Sequence, residues 1–238
     1  MTMTNSSLVD YKKLSPNHSG KRTHSIDRIS PHCVVGQLSV ETLGAMFAKK
    51  SKEASCNYCI GSDGRVGLIV EEKNRSWCTS SNSNDQRAVT IECASDLKSP
   101  YAFNDKVYDK LVELCVDICQ RNGKSKLIWI PQKEKALSKS LKDDEMLLTV
   151  HRWYAAKACP GKWMMNHMDE LAETVTKKLA GESNIPFTIS LPDGTKVKAS
   201  ASSKAKTVDT IEKGVYTIVE IKGLYGKLKS GLGWVKLA

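Results

Sequence analysis

Every cysteine and every histidine in this 238-residue chain lies before residue 170, and from Pro186 onward neither occurs. A change that abrupt predicts two folding units with different chemistry. The break falls in AGESNIPF, residues 180–187, where Gly181 is placed to end a helix and Pro186 to prevent its continuation. The expected domains are therefore 1–182 and 186–238, and the length is sufficient for two cores.

The first unit mixes strand and helix signals. Residues 27–33, 57–60, 66–70, 88–94 and 126–130 are short β-rich runs bounded by Gly, Asn, Asp or Ser. Val107, Leu111, Leu114, Cys115 and Ile118 recur at helical spacing after Asn104, with Gly123 as a stop. Met168, Leu171, Val175 and Leu179 repeat the pattern behind Asn166, and Val40, Leu43 and Phe47 do so behind Ser39. Strands interleaved with helices predict an α/β fold, a mixed central sheet flanked by helices. The second unit has alternating Val215, Thr217, Val219 and Ile221, and glycines at turn-like intervals: Gly214, Gly223, Gly226, Gly231 and Gly233. It reads as a small all-β barrel or sandwich.

No apolar run approaches the roughly 18 residues of a membrane span, so stable membrane insertion is not expected. The start, MTMTNSSLVDYKK, has no apolar central stretch of a secretory signal, and synthesis in the cytoplasm is the expectation. Lys and Arg outnumber Asp and Glu by 36 to 26, which favours a polyanionic partner. Half of that excess lies after residue 185, where nine lysines face four acids. Aromatics are only 6% and no arginine-rich helix occurs, so nucleic acid is not the expected polyanion.

The densest chemistry is TVHRWYAAKACPGKW, residues 149–163. His151 and Cys159 are a nitrogen and a sulfur ligand of the kinds Zn²⁺ prefers, and His32, at the end of a strand, is the best candidate for a third. Three protein ligands leave an open position for water, as in a catalytic zinc site. Taken alone, the same residues also fit an exposed His151, a buried Cys159 thiol and a core His32. Cys56 and Cys59 form a CxxC, but three residues apart on a strand they face opposite sides. Cys115 and Cys119 read as core thiols of a helix.

Five segments in register carry a resemblance. They are His24-Ser25-Ile26-Asp27 leading to His32-Cys33, then Asn57 to Val66 (NYCIGSDGRV), Asn74-Arg75-Ser76-Trp77, Ala88-Val89-Thr90-Ile91-Glu92, and His151 to Gly161 (HRWYAAKACPG). Over residues 15–180 the chain resembles the zinc-dependent N-acetylmuramoyl-L-alanine amidases of the type 2 amidase and peptidoglycan recognition protein family, in particular clostridial phage endolysins. The resemblance implies Zn²⁺ bound by His32, His151 and Cys159. It also implies Glu92 as the acid-base group and Lys157 as the stabiliser of the oxyanion. Trp77, by stacking, and Asn57 and Arg152, by hydrogen bonding, become candidates for lining the glycopeptide cleft.

Three departures from the family pattern stand out. Pro31 directly precedes the first zinc histidine and removes a backbone donor, so the strand is expected to stop pairing or lie loosely there. Cys78 and Asn57 occupy positions where many relatives carry His. The last 25 residues, through YGKLKSGLGWV, resemble the SH3-like barrels that attach wall hydrolases to peptidoglycan. The implied protein is an endolysin or autolysin acting on the cell wall after release, with peptidoglycan as both substrate and docking ligand. A non-catalytic peptidoglycan recognition protein and a zinc peptidase of the stem peptide are the competing readings.

Overall fold

The computed structural model describes residues 4–181, 186–222 and 224–237. Residues 182–185 of the expected boundary and the turn glycine Gly223 lie outside them. The chain divides into two compact units, Met1–Thr176 and Lys177–Ala238.

In the first unit the strands are β1 (Val9–Lys12), β2 (His18–Lys21), β3 (Arg28–Cys33), β4 (Tyr58–Ile60), β5 (Val66–Leu68), β6 (Asn74–Ser76), β7 (Ala88–Cys93), β8 (Lys126–Ile128) and β9 (Glu145–Leu148). The helices are α1 (Val40–Phe47), α2 (Asn82–Asp85), α3 (Asp105–Arg121), α4 (Lys133–Ser138) and α5 (Gly161–Leu179). Seven strands form one mixed sheet in the order β1-β5-β4-β7-β3-β9-β8, and β2 pairs with β6 separately. Within the sheet only β4 and β5 run antiparallel. This is the α/β class with a mixed central sheet and helices.

Local chemistry accounts for the helix starts. Ser39 accepts from Thr42 N and Asn104 from Val107 N, each satisfying a first-turn donor. α3 buries Val107, Leu111, Leu114, Cys115 and Ile118, the stripe its periodicity predicts. α5 begins before the expected Asn166 because the apolar stripe extends one turn upstream to buried Met164. Pro160 precedes the helix, where its missing N–H costs no intrahelical bond. Cys56 lies ahead of β4 rather than on it, and it packs with Cys59 into one apolar cluster with Val40, Leu43 and Phe47.

Pro31 does not end its strand. β3 stays in register with β7 through Pro31↔Ile91, His32↔Glu92 and Cys33↔Cys93. Pairing with β9 stops at Ile29↔Leu148, where Ile29 O accepts from Thr149 N. Backbone groups alternate sides along a strand, so the donor missing at Pro31 faces β9, beyond the point where that ladder has ended. The loss therefore opens one side of the strand and leaves the other intact.

The second unit is a sheet of six antiparallel strands, β10 (Phe187–Leu191), β11 (Thr195–Lys198), β12 (Thr207–Ile211), β13 (Gly214–Lys222), β14 (Tyr225–Leu228) and β15 (Trp234–Lys236), in the order β10-β13-β14-β15-β11-β12. Its core is Leu191, Val197, Ile211, Ile218, Leu228 and Val235. The phase of β13 differs from the expected alternation. Val215 is 70% exposed, whereas Tyr216, Ile218 and Ile221 pack on the core. An irregularity between Ile218 and Glu220 shifts the register, which lets Ile218 and Ile221 share a face. Among the described residues no helix is long and apolar enough to cross a membrane.

Candidate active site

Three neighbouring parallel strands, β7, β3 and β9, end at the same edge of the sheet, the place where open α/β sheets bind ligands. β3 delivers His32 there and β7 delivers Glu92 directly opposite it in register. β9 leads through Thr149 and Val150 into a single 3₁₀ turn, His151–Trp153. That connection is held by a buried chain of hydrogen bonds. Ser30 Oγ and Thr149 Oγ1 lie 2.6 Å apart, and Asn84 Nδ2 donates to Ser30 Oγ. Thr149 Oγ1 and Tyr154 Oη both donate to Asn84 Oδ1. Cys159 returns to the site because Arg152 N donates to its carbonyl oxygen.

His32, His151 and Cys159 come together, with ligand atoms all within 4.8 Å of one another. Cys159 Sγ lies 3.2 Å from His32 Nδ1, and the two imidazole centroids are 5.1 Å apart. His151 Nε2 is 3.2 Å from Ser80 Oγ. Glu92 Oε1 is 3.8 Å from His32 Nδ1. A cavity of about 360 Å³ opens over the group and is lined by Cys78, Glu92, His151, Lys157 and Cys159. Val35 and Tyr101 also line it, and both hold positive φ, of 58° and 60°. Strained backbone of this kind persists where surrounding structure fixes it, commonly at binding sites.

The electrostatics favour neutral ligands and a protonatable carboxylate. Burial and the neighbouring His151 push His32 down to about 3. His151 is also lowered, by burial and by Lys157. Both imidazoles are therefore uncharged near neutrality, the form that offers a lone pair. Cys159 is raised by its hydrogen bond with Cys33 and by burial. Burial raises Glu92 to about 7, partly opposed by the positive charge of Lys52.

This donor set fits a zinc ion. Two imidazoles and a thiol are the ligand types of that metal, and tetrahedral bonds of about 2.0–2.3 Å require donors about 3.3–3.8 Å apart. His32 turns Nδ1 to Cys159 and Glu92, and buried Glu92 Oε2 makes no hydrogen bond. Unspent polar capacity at that depth is the signature of a site built for a ligand rather than for packing.

Of the other residues predicted from sequence, Lys157 and Trp77 line the cavity, and Arg152 and Asn57 do not. Lys157 is exposed at the cavity, and half-buried Trp77 lines it with Nε1 donating to Ser19 Oγ at 2.7 Å. Arg152 is exposed and does not line the cavity. Asn57 is 0% exposed, so the expectation that it hydrogen-bonds substrate is corrected: its side chain serves the protein itself. Oδ1 accepts from Arg22 Nη2 and Thr90 N, and Nδ2 donates to Val70 O and Asn74 O. Sequence reasoning assigned no site role to Cys33, Cys78 or Lys52. Cys33 was signalled only by adjacency to His32, and Cys78 only by standing where relatives carry His.

A family model described as N-acetylmuramoyl-L-alanine amidase matches residues 21–162, more than half the chain. Among solved structures, the chain is similar to a mutant endolysin from Bacillus subtilis, with TM-score 0.50 and 11% identity, covering 70% of this chain and 99% of that one. It is also similar to a selenomethionine derivative of AmpD, with TM-score 0.51 and 15% identity, covering 72% and 98%. At such identities the likeness is one of fold. No curated protein sequence matches significantly.

Proposed function

The chain belongs to the N-acetylmuramoyl-L-alanine amidase family, and from that premise we propose that it is a zinc-dependent peptidoglycan hydrolase. It cleaves the amide between N-acetylmuramic acid and the L-alanine of the stem peptide. The observation that carries this reading is the convergence of two imidazoles and a thiol under one cavity, with a carboxylate 3.8 Å from His32. Held by His32, His151 and Cys159, zinc would supply a Lewis acid and lower the pKa of water toward about 7.

The chain's own residues do the rest. Glu92 takes a proton from the attacking water and delivers it to the departing amine, a task suited to a carboxyl group that burial raises to about 7. Lys157, exposed at the cavity, stabilises the negative charge that develops on the carbonyl oxygen. Trp77 offers an indole to the glycopeptide where it lines the same wall. His32 is positioned by the β3–β7 register, and His151 by the hydrogen-bonded Ser30, Asn84 and Thr149.

In this reading residues 1–182 are the catalytic domain and 186–238 an SH3-like wall-binding domain. The nine lysines of residues 186–238 suit an anionic, insoluble substrate. Attraction and tethering together raise the local concentration of the catalytic domain at the wall.

The test is digestion of purified peptidoglycan by the zinc-loaded protein and by Cys159→Ala, with mass spectrometry of the soluble products. The wild type is expected to release stem peptides that begin with L-alanine, and the variant roughly 10³–10⁶-fold less, the scale of removing one member of a catalytic unit. Fragments that keep the sugar-peptide amide would identify a peptidase instead. An intact wall despite full zinc occupancy would identify a recognition protein.

A further inference from the structure

A second set of metal-ligating groups approaches His32. Cys78 lies after β6, on a segment anchored by Asp85, whose Oδ2 accepts from Cys78 N at 3.1 Å and whose Oδ1 accepts from Thr79 Oγ1 at 2.6 Å. Cys78 Sγ sits 3.9 Å from Glu92 Oε1, and the same oxygen is 3.8 Å from His32 Nδ1. The ligand atoms of His32, Cys78 and Glu92 all lie within 4.8 Å of one another. A tetrahedral ion needs donors about 3.3–3.8 Å apart, so Glu92 already stands near coordinating distance of both partners, and the set closes on a cation with movements of no more than about 1 Å. Glu92 Oε2, buried and without a hydrogen-bond partner, leaves the carboxylate capacity to bind.

We propose that His32, Cys78 and Glu92 form a second seat for a soft divalent cation. The His32 nitrogen that faces Cys159 is also the one that faces Glu92. One lone pair serves one ion, so the two seats share His32 and exclude each other. On binding, the Cys78 thiol releases its proton to solvent and ligates as thiolate, the donor that selects soft ions such as cadmium and zinc. An ion in this seat also occupies the carboxylate of Glu92, which makes it a resting state of the enzyme. That catalytic consequence rests on the role given to Glu92 above; the existence of the seat does not.

The test is titration of the full-length, metal-free protein with cadmium chloride, followed by equilibrium dialysis and by sulfur-to-metal charge-transfer absorbance. Cys159→Ala, which lacks the thiolate of the first seat, is expected to keep one tight cadmium equivalent and a thiolate band. Adding Cys78→Ala is expected to remove the band and weaken binding by at least about tenfold, with Cys33 still in place. A second readout needs no change at Cys78. In Cys159→Ala, cadmium should protect Cys78 from alkylation by iodoacetamide, measured on the peptide by mass spectrometry. Failure of Cys159→Ala to bind cadmium, or binding that leaves Cys78 alkylated at an undiminished rate, overturns the seat. Neither readout depends on wall cleavage. Zinc-free wild type that still cleaves the wall would sink the proposed function without touching this result.

Discussion

Two buried polar clusters lie close together in the first unit, and they are built on opposite principles. Asn57 has both ends of its side-chain amide paired. Its amide is bonded to Arg22, Thr90, Val70 and Asn74 at 2.9–3.3 Å, and Glu72 takes Tyr58 Oη at 2.6 Å and the two Arg121 nitrogens at 2.6 and 2.9 Å. Around His32 the separations are 3.2–3.9 Å, and two buried atoms, His32 Nε2 and Glu92 Oε2, have no partner. Polar groups taken from water are costly unless paired. The first cluster offsets that cost internally and acts as scaffold. The second leaves it standing, which at Glu92 Oε2 is tolerable where a ligand supplies the missing partner. Polar residue type alone therefore does not mark a site; here the convergence of metal-ligating groups beside an unpaired carboxylate oxygen does.

The largest effect that would sharpen the contrast comes from Glu92→Gln. Steady-state assays should show kcat reduced about 10²–10⁴-fold, the range for loss of a general acid-base group. The same substitution should alter the pH dependence of stability in the metal-free protein. The folded carboxyl titrates near 7 against an ordinary 4.5, so the folded state holds a proton that the unfolded chain releases. The stabilising contribution is fully present below pH 4.5 and is lost as pH rises through 7. Denaturant unfolding should show the wild type losing about 3 kcal/mol across that window relative to Glu92→Gln. A rate loss without this pH signature would break the description of Glu92 as an underpaired buried acid.

Asn57→Ala is the opposite probe. It strands Arg22 Nη2 and Thr90 N in the interior and should cost about 3 kcal/mol in unfolding free energy. The turnover of the folded fraction should stay within about twofold of wild type, as for sites that share no partner with the reacting groups. A selective rise in KM at unchanged stability would return Asn57 to the substrate groove. The smallest effect expected is that of Lys157→Ala. Because the ammonium is exposed, its loss should lower kcat about tenfold, below the 10²–10³ of a desolvated oxyanion donor.

Much of the fold was legible because its signals are local. The stripe of α3 follows a 3.6-residue period, and the capping residues Ser39 and Asn104 announce helix starts within three positions. β9, which carries the chain to His151, was not legible: it is buried at all four positions, so it shows no alternation. The phase of β13 was not legible because one register irregularity changes the inward face, and a two-residue period cannot report it.

By itself the sequence determined the residue types that can hold a metal, the division into a Cys- and His-bearing part and a lysine-rich β part, and the motifs that carry the family. These are properties of short segments and survive without knowledge of neighbours. Only the tertiary structure decided which polar atoms are left without partners, because that depends on contacts between distant segments. Asn57 meets Arg22 across 35 positions, and Cys159 meets His32 across 127. The same packing brought Cys78 against Glu92, a pairing that no spacing in the chain announces.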